Sequence, residues 1–147
     1  MIIGRGVGII LITNNGKVLL QYRDKNTRWN RDSWSEFGGQ IEKGETPEKA
    51  IRRELKEELG IELTNLKFFK KYKLQRKKGD YEQFVFTAPF NYLLDKLKKQ
   101  QKEGGDLALF TYKEIKNLKM ADYTRGILED FFKDSTKNLN TIYQKIT

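Results

Sequence analysis

Glu54, Glu57 and Glu58 recur at i, i+3 and i+4. On a helical wheel of about 100° per residue they fall into one stripe. Ile51, Leu55 and Leu59 form the adjoining apolar stripe, and Lys49, Arg52, Arg53 and Lys56 take the remaining side. The acids therefore flank the face that will be buried. Like charges at these spacings cost a helix roughly 0.2–0.5 kcal/mol per pair. An ordinary solvated helix face is one reading of such a stripe. The rest of the composition favours another, because the chain has no histidine and no cysteine. That excludes Ser-His-Asp chemistry, imidazole or thiolate metal sites, and a cysteine nucleophile. Three convergent carboxylates then make a hard, all-oxygen site suited to Mg²⁺, with Mn²⁺ the alternative. A calcium EF-hand is excluded, since its loop pattern is absent.

The element carrying the acids is well signalled. The pattern predicts a helix from Thr46 to Leu59, with Thr46 as N-cap, Pro47 at the first helical position and Glu48 at the positive dipole end. Gly60 supplies the stop. Before it, Val7–Ile12 and Lys17–Tyr22 read as strands joined by Asn15-Gly16, a hairpin signal in which both turn positions favour positive φ. Thr27–Ser35 reads as a loop, and Gly38-Gly39 as a tight backbone passage. After it come strands at Leu66–Leu74 and Tyr81–Ala88 around a turn at Lys77–Asp80, then a stretch at Asn91–Gly105 ambiguous between helix and loop. A strand at Leu107–Thr111 follows, and then a helix at Asp122–Lys133 with Ile127, Leu128, Phe131 and Phe132 on one face. This order implies an α/β layered domain with a mixed sheet.

From Gly39 the chain reads GQIEKGETPEKAIRRELKEELGI. That segment resembles the Nudix box at Gly39, Glu45, Arg53, Glu54, Leu55, Glu57, Glu58, Gly60 and Ile61, with no departure. Trp34 to Gly39 resembles the approach strand, with Gly38 where many members carry proline. Residues 103 to 110 resemble the later segment that adds a carboxylate. The resemblance implies a Nudix-like α/β/α sandwich, with a mixed sheet and the box as loop–helix–loop. It implies a single domain over 1–134, with 135–147 as a short helix or frayed tail. It also implies a metal-dependent hydrolase of nucleoside diphosphate-X linkages. By position, Glu57 and Glu58 would be metal ligands, Glu54 a ligand or the base, and the Gly39 carbonyl a further ligand. Arg53 would orient the glutamates, Glu45 would support the loop–helix geometry together with Gly60, and Glu103 would be the late carboxylate, with Asp106 its competitor.

Substrate choice is less constrained. The subgroup markers for ADP-ribose, diadenosine polyphosphates and NADH are missing at the spacings where Arg76 and Lys77–Gly79 fall. A coenzyme A marker is only hinted at by Leu19, Leu20 and Arg23. A purine nucleoside triphosphate, cleaved to monophosphate and pyrophosphate, is the expectation, with RNA ends, nucleotide sugars or dinucleotides as alternatives. A catalytically silent binding module is the third reading. Candidate substrate contacts are Asp122, Trp29, Arg23 and Arg28. Asp122 would accept from purine N–H groups, or would simply cap its helix. Trp29 would stack on a base, while Phe37 and Tyr81 read as core.

With 29 basic against 20 acidic residues the net charge is +9, and the surface attracts polyanions. A small nucleotide partner is favoured over nucleic acid, although lysine clusters keep RNA open as a partner. No apolar run approaches the roughly 18 residues of a membrane span, so no membrane partner and a cytoplasmic location are expected. One domain fits 147 residues. Nothing in the sequence decides the oligomeric state.

Overall fold

The computed structural model describes residues 1–24, 32–101 and 105–135. The apolar N-terminal run forms β1 (Ile2–Ile12), followed by β2 (Val18–Arg23), β3 (Ser33–Ser35) and β4 (Phe37–Gln40). The acid-bearing helix is α1 (Pro47–Leu59). A long hairpin of β5 (Lys67–Arg76) and β6 (Gly79–Pro89) leads to α2 (Leu94–Gln100), β7 (Leu107–Phe110), the short α3 (Tyr112–Ile115) and α4 (Asp122–Ser135).

β1 is the spine of the sheet. It runs parallel to β6 along its length, from Gly4↔Tyr81 to Ile12↔Pro89. On its other edge Gly6–Ile9 pair antiparallel with β4, and only Ile12↔Val18 pairs with β2. β2 in turn carries both β3 and β7, and β5 closes the far edge. The sheet is thus mixed, as expected. Ser33–Ser35, expected in a loop, is instead a strand because it pairs with Gln21–Arg23. Three residues are too few to show a period of two. The first turn also differs: Gly16 has φ 85°, whereas Asn15 is not left-handed. Thr13 N–H donates to the Lys17 carbonyl at 2.8 Å and Gly16 N–H to the Thr13 carbonyl at 3.0 Å. A three-residue loop ending on a left-handed glycine therefore replaces a two-residue turn.

Alternation along β1 divides the core into two layers. Val7, Ile9 and Leu11 pack with Ile51, Leu55 and Leu59 of α1. Ile10 and Ile12 face the other way, against Ile127, Leu128, Phe131 and Phe132 of α4. Each such side chain stabilises by roughly 1.5–3 kcal/mol when fully buried. On the α4 side the same alternation continues toward the N-terminus as Gly8, Gly6 and Gly4, so large side chains stop. Tyr81 and Gln83 of β6 lie across this bare strip: a Cβ at Gly6 would meet the Gln83 amide and, at 2.7 Å, the Tyr81 hydroxyl. One face of β1 is therefore core at one end and open at the other.

Candidate active site

The acid helix starts where the sequence placed it. Thr46 Oγ1 accepts from Lys49 N–H at 3.2 Å, and Gly60 ends the helix at φ 69° with its N–H on the Lys56 carbonyl at 2.9 Å. Arg53 organises what surrounds it. Its Nε donates to Glu45 Oε2 at 2.7 Å and its Nη2 to Glu45 Oε1 at 3.0 Å, a two-pronged grip across the loop–helix junction. Nη2 also reaches the Gln40 carbonyl at 3.0 Å, while Nη1 donates to Glu54 at 2.9 Å and Glu57 at 3.3 Å. Glu45 completes the junction by accepting from Glu42 N–H at 2.9 Å. On the wheel Arg53 stood apart from the acids; its length brings the guanidinium back among them. These bonds, the Glu45 bond first, push the Arg53 pKa further up. Arg53 in turn holds Glu45 down to about 2.

Glu54 turns toward β4. A Cβ at Gly39 would run into its carboxylate, so only glycine lets this strand and that acid meet. Burial pushes the Glu54 carboxyl up, against the pull of Arg53 and of a hydrogen bond with Glu58. One Glu58 carboxylate oxygen is buried beside it. Glu57 differs: its side chain is 57% exposed and leans on Arg53. The three acids thus gather around Arg53, with Glu54 and Glu58 turned inward and Glu57 outward. Among the described residues no three carboxylates form a ready cation site. The physical reason is like-charge repulsion together with a guanidinium that draws Glu54 and Glu57 to itself. The donor chemistry still fits a hard divalent cation: the Gly39 carbonyl, Glu54, Glu57 and Glu58 are all oxygen donors, and exposed Glu57 has room to swing.

Beside Gly39 opens a cavity of about 510 Å³, within the range of small-molecule sites. Gly38, Gly39 and Gln40 form one wall, Ser35 and Glu36 another, Tyr81 and Gln83 lie over the glycine strip, and Tyr123 comes from α4. Arg23 lines it, as do the exposed Arg76, Lys77 and Lys78 of the β5–β6 turn. Burial pushes the Glu36 carboxyl up, and the Thr124 and Tyr123 hydroxyls and Arg23 offset this only in part. Tyr123 is pushed up by burial and then by Glu36.

Of the residues the sequence singled out, Gly39, Glu45, Arg53, Glu54, Glu57 and Glu58 are brought together around the start and face of α1, Gly60 closes the far end of that helix, and Arg23 reaches the cavity. Asp122 is exposed and does not line the cavity; its neighbour Tyr123 does. It is not the cap either, because the Ala121 carbonyl accepts from Arg125 N–H at 3.0 Å and Asp122 sits one residue inside. A step of about 100° around the helix separates the two side chains. Phe37 is core, whereas Tyr81, expected as core, walls the cavity because the glycine strip leaves space beneath it. Trp29, Arg28 and Glu103 lie outside the described residues. Asp106 is exposed, with its carbonyl accepting from Tyr22 N–H at 2.8 Å. Sequence reasoning missed Glu36 and Tyr123. The available signal was Glu36 itself, the one charged residue between Asp32 and Glu42.

The fold and this site define a class, and the sequence match agrees: residues 3–131 match the NUDIX domain, and the chain belongs to that family. It is 28% identical to an RNA pyrophosphohydrolase of Actinobacillus succinogenes over 94% of this chain and 80% of that one. Against an oxidized purine nucleoside triphosphate hydrolase of Danio rerio the identity is 38%, over 40% of this chain and 36% of the relative. In such shorter matches the chain spans only about a third of the relative's length. Among solved structures, the MutT protein from Methanosarcina mazei Go1 superposes with a TM-score of 0.74 at 18% identity, covering 92% of this chain and 96% of that one. That likeness is one of fold.

Proposed function

We propose that this chain is a divalent-metal-dependent pyrophosphohydrolase of nucleoside diphosphate-X compounds, with a purine nucleoside triphosphate cleaved to monophosphate and pyrophosphate. The observation that carries the reading is the Arg53-centred carboxylate set packed against Gly39 at the edge of a nucleotide-sized cavity. The Gly39 carbonyl with Glu54, Glu57, Glu58 and Glu103 would hold the metal, Mg²⁺ first and Mn²⁺ as substitute. Bound there, a divalent cation neutralises phosphate oxygens and lowers the pKa of water.

The chain's own residues do the rest. Water adds to a phosphorus of the anhydride, the bridging P–O bond breaks, and the departing phosphate carries its electrons. Where Glu54 serves as the base rather than as a ligand, it takes the water's proton; burial raises its carboxyl above the ordinary value, which strengthens it as a base. Arg53 keeps Glu54 aimed through their 2.9 Å bond and anchors the helix start through Glu45. Arg23, Arg76, Lys77 and Lys78 offset the substrate's negative charge as it enters.

One observation favours a second substrate. Lys70, Lys71 and Lys73 on β5 are paired with Asp130, Glu82 and Asp80, but the strand continues into the exposed cations at the cavity rim, a track for a polynucleotide. A 5′-triphosphate RNA end is that alternative, in line with the similarity to the RNA pyrophosphohydrolase of Actinobacillus succinogenes. The deciding experiment is a hydrolysis screen of nucleoside triphosphates, nucleotide sugars, dinucleotides and 5′-triphosphate RNA with Mg²⁺ or Mn²⁺, products resolved by chromatography. Monophosphate and pyrophosphate from a purine triphosphate are expected. Turnover confined to RNA ends, falling steeply with salt, selects the alternative. Turnover of nothing removes both.

A further inference from the structure

The inner end of the cavity holds polar groups that the proposed reaction does not use. Ser35 Oγ, Glu36 Oε2, Tyr123 Oη and Thr124 Oγ1 are all buried without a well-formed hydrogen bond, although the Tyr123 and Thr124 hydroxyls lie close enough to Glu36 to pull its carboxyl down. Glu36 is only 9% exposed and lines the cavity with Ser35 and Tyr123. Leaving such groups without full partners is costly, most of all for a charge, and a native chain keeps them where a ligand completes them. The surrounding sequence keeps this end open. At Gly8 a Cβ would sit 3.4 Å from the Glu36 Cγ, and Gly4 and Gly6 let Tyr81 and Gln83 lie flat over the strip. The other end of the cavity is Gly39, against which Glu54 packs. A nucleotide spanning the two would put its phosphates at the carboxylates and its base against Glu36.

We propose that Glu36 reads the nucleobase of this site and that the base it selects is guanine. This rests on the nucleotide reading above. Guanine presents its ring N1–H and exocyclic N2–H side by side, and both can donate to the two oxygens of one carboxylate. Adenine has an acceptor at N1, which an ionised carboxylate repels. Burial raises the Glu36 carboxyl against the pull of the Thr124 and Tyr123 hydroxyls. The Tyr123 and Thr124 hydroxyls face it and steady its orientation. Asp122, in contrast, has no path to the base from its exposed position.

The test is calorimetric titration of the full chain with GMP, IMP, AMP and UMP, without divalent cation, so that it does not depend on turnover. Wild type should bind GMP about tenfold or more tighter than AMP, with IMP between them, the difference a bidentate contact supplies. Glu36→Gln should erase the GMP preference while a thermal melt stays cooperative. Should Glu36→Gln fail to fold, Glu36→Asp withdraws the carboxylate by one methylene and should weaken GMP more than AMP. Equal GMP and AMP affinities in wild type, a preference retained in both variants, or no nucleotide binding at all would each overturn the assignment. Triphosphate hydrolysis without guanine preference sinks this inference alone; guanine-selective binding without hydrolysis sinks the pyrophosphohydrolase reading alone.

Discussion

Arg53 holds Glu45 through two parallel hydrogen bonds, at 2.7 and 3.0 Å, while its third nitrogen reaches Glu54 at 2.9 Å. One side chain thus locks the loop before the helix and aims the acid that packs on Gly39. Lysine keeps the charge but cannot make the fork. Arg53→Lys should lower kcat by about 10–100-fold and cost about 1–2 kcal/mol of stability for the lost charged hydrogen bonds. A variant with wild-type kcat and a normal melt would show that the network is only decorative.

Glu57 separates metal binding from folding. Its side chain is mostly exposed, so Glu57→Gln should change stability by no more than about 0.5 kcal/mol. If it ligates the cation, kcat should fall by about 10²–10³, some 3–4 kcal/mol of barrier. Exhaustive EDTA treatment should abolish turnover, and added Mg²⁺ or Mn²⁺ should restore it. Full activity after chelation would end the metal reading.

The Glu45 grip predicts an acid limb. Arg53 holds this carboxyl at about 2, below its ordinary 4.5. A depressed carboxyl contributes stability that is complete above its unfolded pKa and lost as pH falls through its folded pKa. The wild-type advantage over Glu45→Gln should therefore be full above pH 4.5 and disappear toward pH 2. Melting curves of the two proteins across that window measure it. A constant difference would mean the ion pair contributes nothing to the fold.

The late carboxylate remains a comparison of two residues. Glu103→Gln should lower kcat far more than Asp106→Asn, since the Asp106 side chain is exposed and its backbone carbonyl already serves Tyr22. The reverse ranking would reassign the role.

The acid helix was legible because every signal agreed: cap, proline, period of apolar residues and glycine stop all act locally, between Thr46 and Gly60. The apolar faces of the first and last helices were legible for the same local reason. What escaped depended on distant pairing. β3 exists only through β2, and β4 takes most of the edge of β1 that the first hairpin would have used. The short α3 was missed although Thr111 and Glu114 form a reciprocal capping box, at 2.9 and 3.2 Å, a signal too short to stand out in a four-residue helix. The candidate cavity was illegible for a subtler reason. Gly4, Gly6 and Gly8 read as breaks in an apolar run, but at strand period they are one bare face. Their meaning appears only when β6 lays Tyr81 and Gln83 across them.

That strip yields a final prediction, because two glycines on adjacent β1–β4 pairs, Gly6 beside Gln40 and Gly39 beside Val7, open onto opposite faces of the sheet. A Cβ at Gly6 would meet the Gln83 amide and the Tyr81 hydroxyl, so both must shift into the cavity. A Cβ at Gly39 would instead meet the Glu54 carboxylate. Overpacking of this kind costs about 1–3 kcal/mol, so both alanine variants should melt lower by similar amounts. Their kinetics should divide. Gly6→Ala narrows the space for the nucleoside and leaves the carboxylates in place, so KM should rise severalfold with kcat nearly unchanged. Gly39→Ala displaces the proposed base and a metal-ligating carbonyl, so kcat should fall by at least about tenfold whatever happens to KM. Steady-state kinetics on the preferred triphosphate, with melts of each variant as control, give the split. If Gly6→Ala lowers kcat and spares KM, the cavity is not where the nucleoside sits, and the division of the site into a recognition end and a reaction end is wrong.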